Sequence, residues 1–255
     1  MTTPAPFQQT ELNRLPSSRQ TIELAGVVVL VSVVFFLCAV PFVQAPLLAV
    51  SAFIPAYEAS LVFIELITAV LLLAQYSRTS SSRMLVLAAG YLFNTGIVFM
   101  HALSFPGVFA PAGILGGSAQ TAVWIYTFWH LGFPLFVLAF SLLPDAARPA
   151  LGATTRARNI ILVIAASALL VAGITLLCTV GHHSLPIIFE NGSYALVVKK
   201  GLSPAMLLFC LLAIGALARR ASRSVLDVWM IVVMVLWILE VLMSAVIGTS
   251  RYDLG

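Results

Sequence analysis

The residues of this chain that could do chemistry are few, and they stand inside long apolar runs. Glu58 and Glu65 are seven residues apart, Asn94 and His101 repeat that spacing, His130 lies in an aromatic run, and Glu240 follows Trp237 by three. A spacing of seven puts two side chains on one face of a helix. Carboxylates, imidazoles and amides exchange protons, pair as ions or hold polar ligands. Each is costly at bilayer depth, so each marks either a functional site or a satisfied structural pair.

Nucleophilic chemistry finds no support. Gly248-Thr249-Ser250 has no histidine placed to activate it, and no lysine falls within an apolar run where it could form a Schiff base. Cys38, Cys178 and Cys210 lie in apolar runs without a CxxC spacing and read as small hydrophobes. His182 and His183 are adjacent, so on regular structure they diverge and make a poor metal pair. Asp227 reads as an interfacial ion pair with Arg223. No catalytic set and no metal site is expected, and no cofactor is indicated.

Long helices must position these groups. Of 255 residues, 61% are hydrophobic and 9% charged, whereas an average soluble domain carries roughly 25% charged residues. The apolar residues form blocks at 24–43, 57–76, 84–103, 120–142, 159–180, 204–218 and 225–247. All but the sixth reach the roughly 20 residues that cross a hydrocarbon core. The sixth needs Leu202 and the stem of Arg219 to span. Lipid cannot satisfy the backbone of open strands, and the alternation of a membrane barrel is missing. The sequence therefore predicts an all-α polytopic transmembrane bundle of about seven spans over residues 24–255, preceded by a cytoplasmic segment, 1–23. The first block is too long for a cleaved signal peptide.

Charge sets the orientation. With alternating spans, Arg14, Arg19, Arg78, Arg83, Arg148, Arg156, Arg158, Arg219, Arg220 and Arg223 share one side, against Lys199, Lys200 and Arg251 on the other. The positive-inside rule puts the former side, and the N-terminus, in the cytoplasm. The net charge of +4 records this topology; no patch suits nucleic acid. A helix rise of about 1.5 Å per residue then places Glu65, Asn94, His130 and Glu240 roughly 10 to 15 Å below the outer helix ends, in one layer. Glu58 and His101 fall near the outer surface, so His101 and His130 are expected roughly 12 Å apart in depth. The outer joint 104–119 is apolar and rich in Gly and Pro, as in an interfacial loop or a lid.

The densest signal is Gln120-Thr121-Ala122-Val123-Trp124-Ile125-Tyr126-Thr127-Phe128-Trp129-His130-Leu131-Gly132-Phe133-Pro134. Pro134 lacks the amide that would bond the carbonyl of His130, so that carbonyl is freed beside the imidazole. Two readings stand for His130: a buried histidine bonded to Glu65 or Glu240 to hold the bundle, or a group sensing a ligand or proton. On the second, the binding set is His130, Glu65, Glu240, Asn94, Trp124, Tyr126 and Trp129, with Glu58 and His101 secondary.

This stretch resembles the membrane-associated sensor domains, most closely their fourth class, in Gln120-Thr121, Trp124-Ile125-Tyr126, Trp129-His130 and Gly132-Phe133-Pro134. Phe53-Ile54-Pro55-Ala56 and the tail Ser250-Arg251-Tyr252-Asp253-Leu254-Gly255 resemble the same family. The resemblance implies an input domain of the bacterial inner membrane that precedes a diguanylate cyclase or histidine kinase module. It also implies eight spans, the last expected beyond the C-terminus. The expected partners are the bilayer, a cytoplasmic output domain or its carrier protein, and a second copy in a homodimer. The alternatives are a haem or metal protein using His101 and His130, and a small transporter. The depth gap between the histidines counts against haem, and the lack of internal repeats counts against transport.

Overall fold

The computed structural model describes residues 17–43, 53–111, 113–115, 119–144, 151–190, 193–221 and 223–247. Seven helices in it are long and apolar enough to cross a membrane. They are α1 (Arg19–Ala39), α2 (Phe53–Thr79), α3 (Ser82–Ser104), α4 (Ala119–Leu142), α5 (Ala153–Thr179), α6 (Ser203–Ala218) and α7 (Val225–Val241). A two-residue hairpin, β1 (Phe189–Glu190) with β2 (Ser193–Tyr194), lies between α5 and α6. The expected all-α bundle is what forms.

The helix bounds differ from the apolar blocks for identifiable reasons. α1 starts at Arg19 inside the segment expected to precede the membrane, because Ser18 caps it by accepting from the Thr21 amide and Arg19 pairs with Glu23 one turn on. Residues 1–16 of that segment lie outside the described part, as do residues 250–255 of the tail. The sixth block is lengthened by a turn of π-helix, Val198–Leu202, that runs straight into α6, so the span begins at Val198. Pro204 begins the block by hydropathy and stands in the first turn of α6, directly after the π-helical turn.

α3 and α4 form the centre. α3 packs on α2, α4 and α5; α4 also meets α6 and α7, and α1 lies against α7. α1 is peripheral, with Ala25 as its one buried residue, set against Val228 and Val232. One core gathers Tyr76, Met84, Leu87, Phe133, Phe140, Cys210, Leu217 and Met234; a second gathers Phe93, Ile97, Trp124, Ile125, Trp129, Val171 and Cys178. Between lipid-solvated helices the hydrophobic effect supplies no drive, so close packing of small residues must. At Gly132 a Cβ would stand 2.5 Å from the Phe93 ring, and at Gly90 one would stand 2.7 Å from the Cβ of Phe136. Gly132 in the helix-four motif thus lets α3 and α4 touch.

Candidate signal site

The polar residues inside the spans form two groups. The first runs along the seam of α2 and α3. Glu58, Glu65, Ala69, Leu72 and Tyr76 form the buried stripe of α2, repeating at the spacing of a packed helix pair. Opposite it, the His101 Nδ1 lies 2.7 Å from Glu58 Oε1, and the Asn94 amide donates to Glu65 Oε1 at 3.0 Å. These are two rungs one heptad apart. All four residues are buried, yet among the described residues no hydrogen bond reaches Glu58 Oε2, Glu65 Oε2 or Asn94 Oδ1. Each such buried atom costs ~1–3 kcal/mol when left unsatisfied.

The second group joins α4 to α7. His130 Nδ1 faces the carbonyl of Tyr126 at 2.9 Å; a carbonyl only accepts, so Nδ1 carries hydrogen. Its Nε2 lies 2.7 Å from Glu240 Oε2. Glu240 Oε1 accepts from the Tyr126 hydroxyl at 2.9 Å and from the Ser244 hydroxyl at 3.2 Å. Tyr126 and Ser244 are themselves 2.5 Å apart. A π-helical turn, Leu242–Ile247, follows Glu240 directly. The Ser244 hydroxyl bonds the Glu240 carbonyl there at 2.9 Å, and such turns recur at functional sites. The Tyr126 and His130 rings stack at 3.8 Å between centroids. Pro134 frees the carbonyl of His130 as its chemistry requires, and the Trp237 indole donates to it at 3.4 Å.

Of the two partners considered for His130, Glu240 is the one it takes. The expected depth gap between His101 and His130 is corrected. The His101 ring lies 6.3 Å from Tyr126 and 6.0 Å from Trp129, which in turn is 4.5 Å from His130. Both imidazoles therefore sit on the same pair of aromatic rings, because α3 and α4 approach closely at Gly132. The single layer of Glu65, Asn94, His130 and Glu240 becomes two pairings on different seams.

Trp124, placed in the binding set, instead donates its indole N–H to the carbonyl of Pro186 at 3.1 Å. Gln120 accepts from the amides of Ile188 and Phe189 at 3.0 and 3.3 Å, and donates to the Phe189 carbonyl. Thr121 bonds the Cys178 carbonyl at 2.9 Å. The first turns of α4 thus clamp the segment between α5 and α6. Trp129 keeps its place near both histidines, with its indole nitrogen buried and unpartnered. Ile114 lies back against the end of α3, its amide donating to the Leu103 carbonyl at 2.8 Å. His182 and His183 stack at 3.8 Å, with His182 bonded to the Thr179 carbonyl.

One polar cluster had no signal in spacing. At the arginine-bearing end, Arg83 and Asp227 form an ion pair, with 1% and 0% of their side chains exposed. Arg83 also donates to the Phe140 carbonyl at 3.2 Å and lies 4.1 Å above the Phe140 ring. Arg220 stands 3.7 Å from the same carboxylate and donates to the carbonyls of Ser141 and Leu143 at 2.9 and 3.2 Å. Asp227 closes a capping box with Ser224. The expected partner of Asp227 was Arg223, but Arg223 bonds the Ala218 carbonyl. Sequence separation of 144 residues hid the true pair. The two arginines satisfy carbonyls that the last turn of α4 leaves open.

Seven apolar helices carrying internal polar links define an integral membrane protein with several spans. A family model described as membrane-associated sensor, integral membrane domain (MASE4) matches residues 48–255, and the chain belongs to this family. No curated protein and no solved structure matches the chain.

Proposed function

We propose that this chain is the input module of a signalling protein of the bacterial inner membrane. Its N-terminus and arginine-rich end face the cytoplasm, and the link of Tyr126, His130, Glu240 and Ser244 acts as the two-state element. The observation that carries this reading is the 2.7 Å contact between His130 Nε2 and Glu240 Oε2. The link is satisfied only while α4 and α7 keep their present register, so a stimulus that moves the proton or separates the helices selects a second arrangement. A stimulus works only through different affinity for the two states, and a shift from 1:99 to 99:1 needs about 5.5 kcal/mol. A buried charged hydrogen bond of about 1.5–3 kcal/mol supplies a sizeable part of that.

The output is a diguanylate cyclase or histidine kinase in the cytoplasm, and a homodimer is the natural form for two such modules to meet. The test places the chain ahead of a diguanylate cyclase reporter and measures cyclic-di-GMP in cells. His130→Ala and Glu240→Gln should each lock the output at one level whatever the growth condition. Regulation unchanged in both variants refutes the role of this link.

A further inference from the structure

We infer that the seam between α2 and α3 binds an elongated organic dication, an α,ω-diamine, with one ammonium at the Glu58–His101 rung and the other at the Glu65–Asn94 rung. The inference rests on reading the bundle as a sensor and names the class of ligand it would take.

The two polar groups in the spans differ in completeness. In the α4–α7 link both Glu240 oxygens face a polar atom: Oε1 receives hydrogen bonds from Tyr126 and Ser244, and Oε2, which no hydrogen bond reaches among the described residues, lies 2.7 Å from His130 Nε2. The α2–α3 seam is open: among the described residues no hydrogen bond reaches Glu58 Oε2, Glu65 Oε2 or Asn94 Oδ1, all of them acceptors when the two acids are ionised. Whatever completes the seam must therefore donate. Charge narrows the choice. Glu58 has His101 beside it, but among the described residues no Lys, Arg or His pairs with Glu65, whose one bonded partner is a neutral amide. An anion is excluded by two carboxylates, and a cation relieves both.

Spacing decides the shape of that cation. Glu58 and Glu65 are separated by seven residues, about 10 Å along the helix axis. A monatomic cation needs several oxygens converging within about 2.6 Å, and these acceptors do not converge. A linear molecule with N–H donors at both ends meets both rungs. Between the rungs the seam is apolar, since Leu61 and Val62 of α2 pack against the cluster that holds Ile97 and Val98 of α3, which suits a methylene chain. Trp129, with its indole nitrogen unpartnered and its ring 6.0 Å from His101, offers an aromatic face at the first rung. α2 leans chiefly on α3, so a ligand entering the seam displaces one peripheral helix and leaves the centre of the bundle in place.

The test uses the full chain in nanodiscs of zwitterionic phosphatidylcholine, titrated calorimetrically with α,ω-diamines of increasing chain length, with the matching monoamines and with sodium chloride. Saturable binding is expected, tightest at one intermediate length, with monoamines at least about tenfold weaker, a difference of 1.4 kcal/mol. Glu58→Gln and Glu65→Gln should each weaken the best diamine by at least about tenfold, and Glu23→Gln, on the exposed start of α1, should leave it unchanged. Glu65→Asp keeps the charge but withdraws it by one methylene, so it should move the optimum to a longer diamine; this readout survives if Glu65→Gln folds poorly. No saturable binding by any diamine, equal affinity for the monoamines, or a length optimum indifferent to Glu65→Asp overturns the inference. Diamine binding without any effect of His130→Ala on the cyclase reporter would sink the sensor reading alone. A responsive reporter with no diamine binding would sink this one alone.

Discussion

Replacing Asp227 by Asn tests the polar cluster that fastens the arginine-bearing end of the bundle. The carboxylate serves Arg83, Arg220 and both the amide and hydroxyl of Ser224, the last two at 2.8 and 2.9 Å. Asn preserves the shape and one acceptor, so the cap on α7 largely survives; the negative charge does not. Arg83, with 1% of its side chain exposed, then keeps the Phe140 ring 4.1 Å below it and the Phe140 carbonyl at 3.2 Å. Neither neutralises a full positive charge. Breaking a buried pair by removing one partner costs about 3–5 kcal/mol. Asp227→Ala should add about 1 kcal/mol for the lost cap.

For a chain of this size 1 kcal/mol moves the unfolding midpoint by roughly 2–4 °C, so Asp227→Asn should lower it by roughly 6 to 20 °C. Thermal unfolding of the purified protein, followed by helical circular dichroism at a fixed scan rate, measures this. Arg83→Met in the same background removes the stranded charge, and apolar replacement of a buried pair is often neutral or stabilising. The double variant should therefore unfold above Asp227→Asn alone. A drop under about 2 °C for the single variant, or losses that simply add in the double, would refute the claim that the pair is desolvated and coupled.

Gly132→Ala should destabilise by about 1–3 kcal/mol, since the new methyl stands 2.5 Å from the Phe93 ring; Phe93→Leu in the same chain should restore part of the loss of midpoint temperature. Gln120→Ala removes three bonds to Ile188 and Phe189. Hydrogen exchange of residues 186–190 should rise while the bundle midpoint moves little. Tyr126→Phe deletes one donor to Glu240, a change of about 0.6–1.7 kcal/mol between membrane helices. A Tyr126→Phe and Ser244→Ala cycle should show coupling, because each hydroxyl compensates for the other.

Spans were legible in the sequence because hydropathy is a property of one helix at a time. Partners were legible only where helical period sufficed. Glu58 with Glu65 and Asn94 with His101 share a spacing of seven, and their rungs form as that register requires. Pro134 announced a free carbonyl at His130, and the structure supplies the Trp237 indole. Depth along separate helices misled, because it treats the spans as parallel rods at equal distance, whereas the glycines bring α3 onto α4 and carry His101 to Tyr126 and Trp129. Trp124 was placed in the binding set, and Gln120 entered only as part of the helix-four motif. Their partners, the carbonyls and amides at 186–189, belong to irregular backbone whose path no periodicity gives. Arg83 counted as a topogenic surface charge, and only the fold reveals that it is buried against Asp227.

The arrangement of contacts makes α4 the element through which the two ends of the bundle communicate. Gln120 and Trp124 in its first turns hold the segment between α5 and α6, and Thr121 holds the last turn of α5. Tyr126 and His130 in its middle hold Glu240 of α7. Its last carbonyls are held by Arg83 of α3 and by Arg220, next to α6. Pro134 lies between the second and third of these anchors, and a helix lacking that backbone bond bends there most easily. A change at the Glu240 link therefore reaches the opposite end in one of two ways. If α4 moves as a rod, the arginine contacts to Phe140 and Ser141 must shift with it. If α4 bends at Pro134, those contacts stay fixed and only Trp237 must follow the freed carbonyl of His130. The buried Arg83–Asp227 pair is expensive to rearrange and the single indole bond at 3.4 Å is not, so energy favours the bend, with α7 carrying the displacement through Trp237.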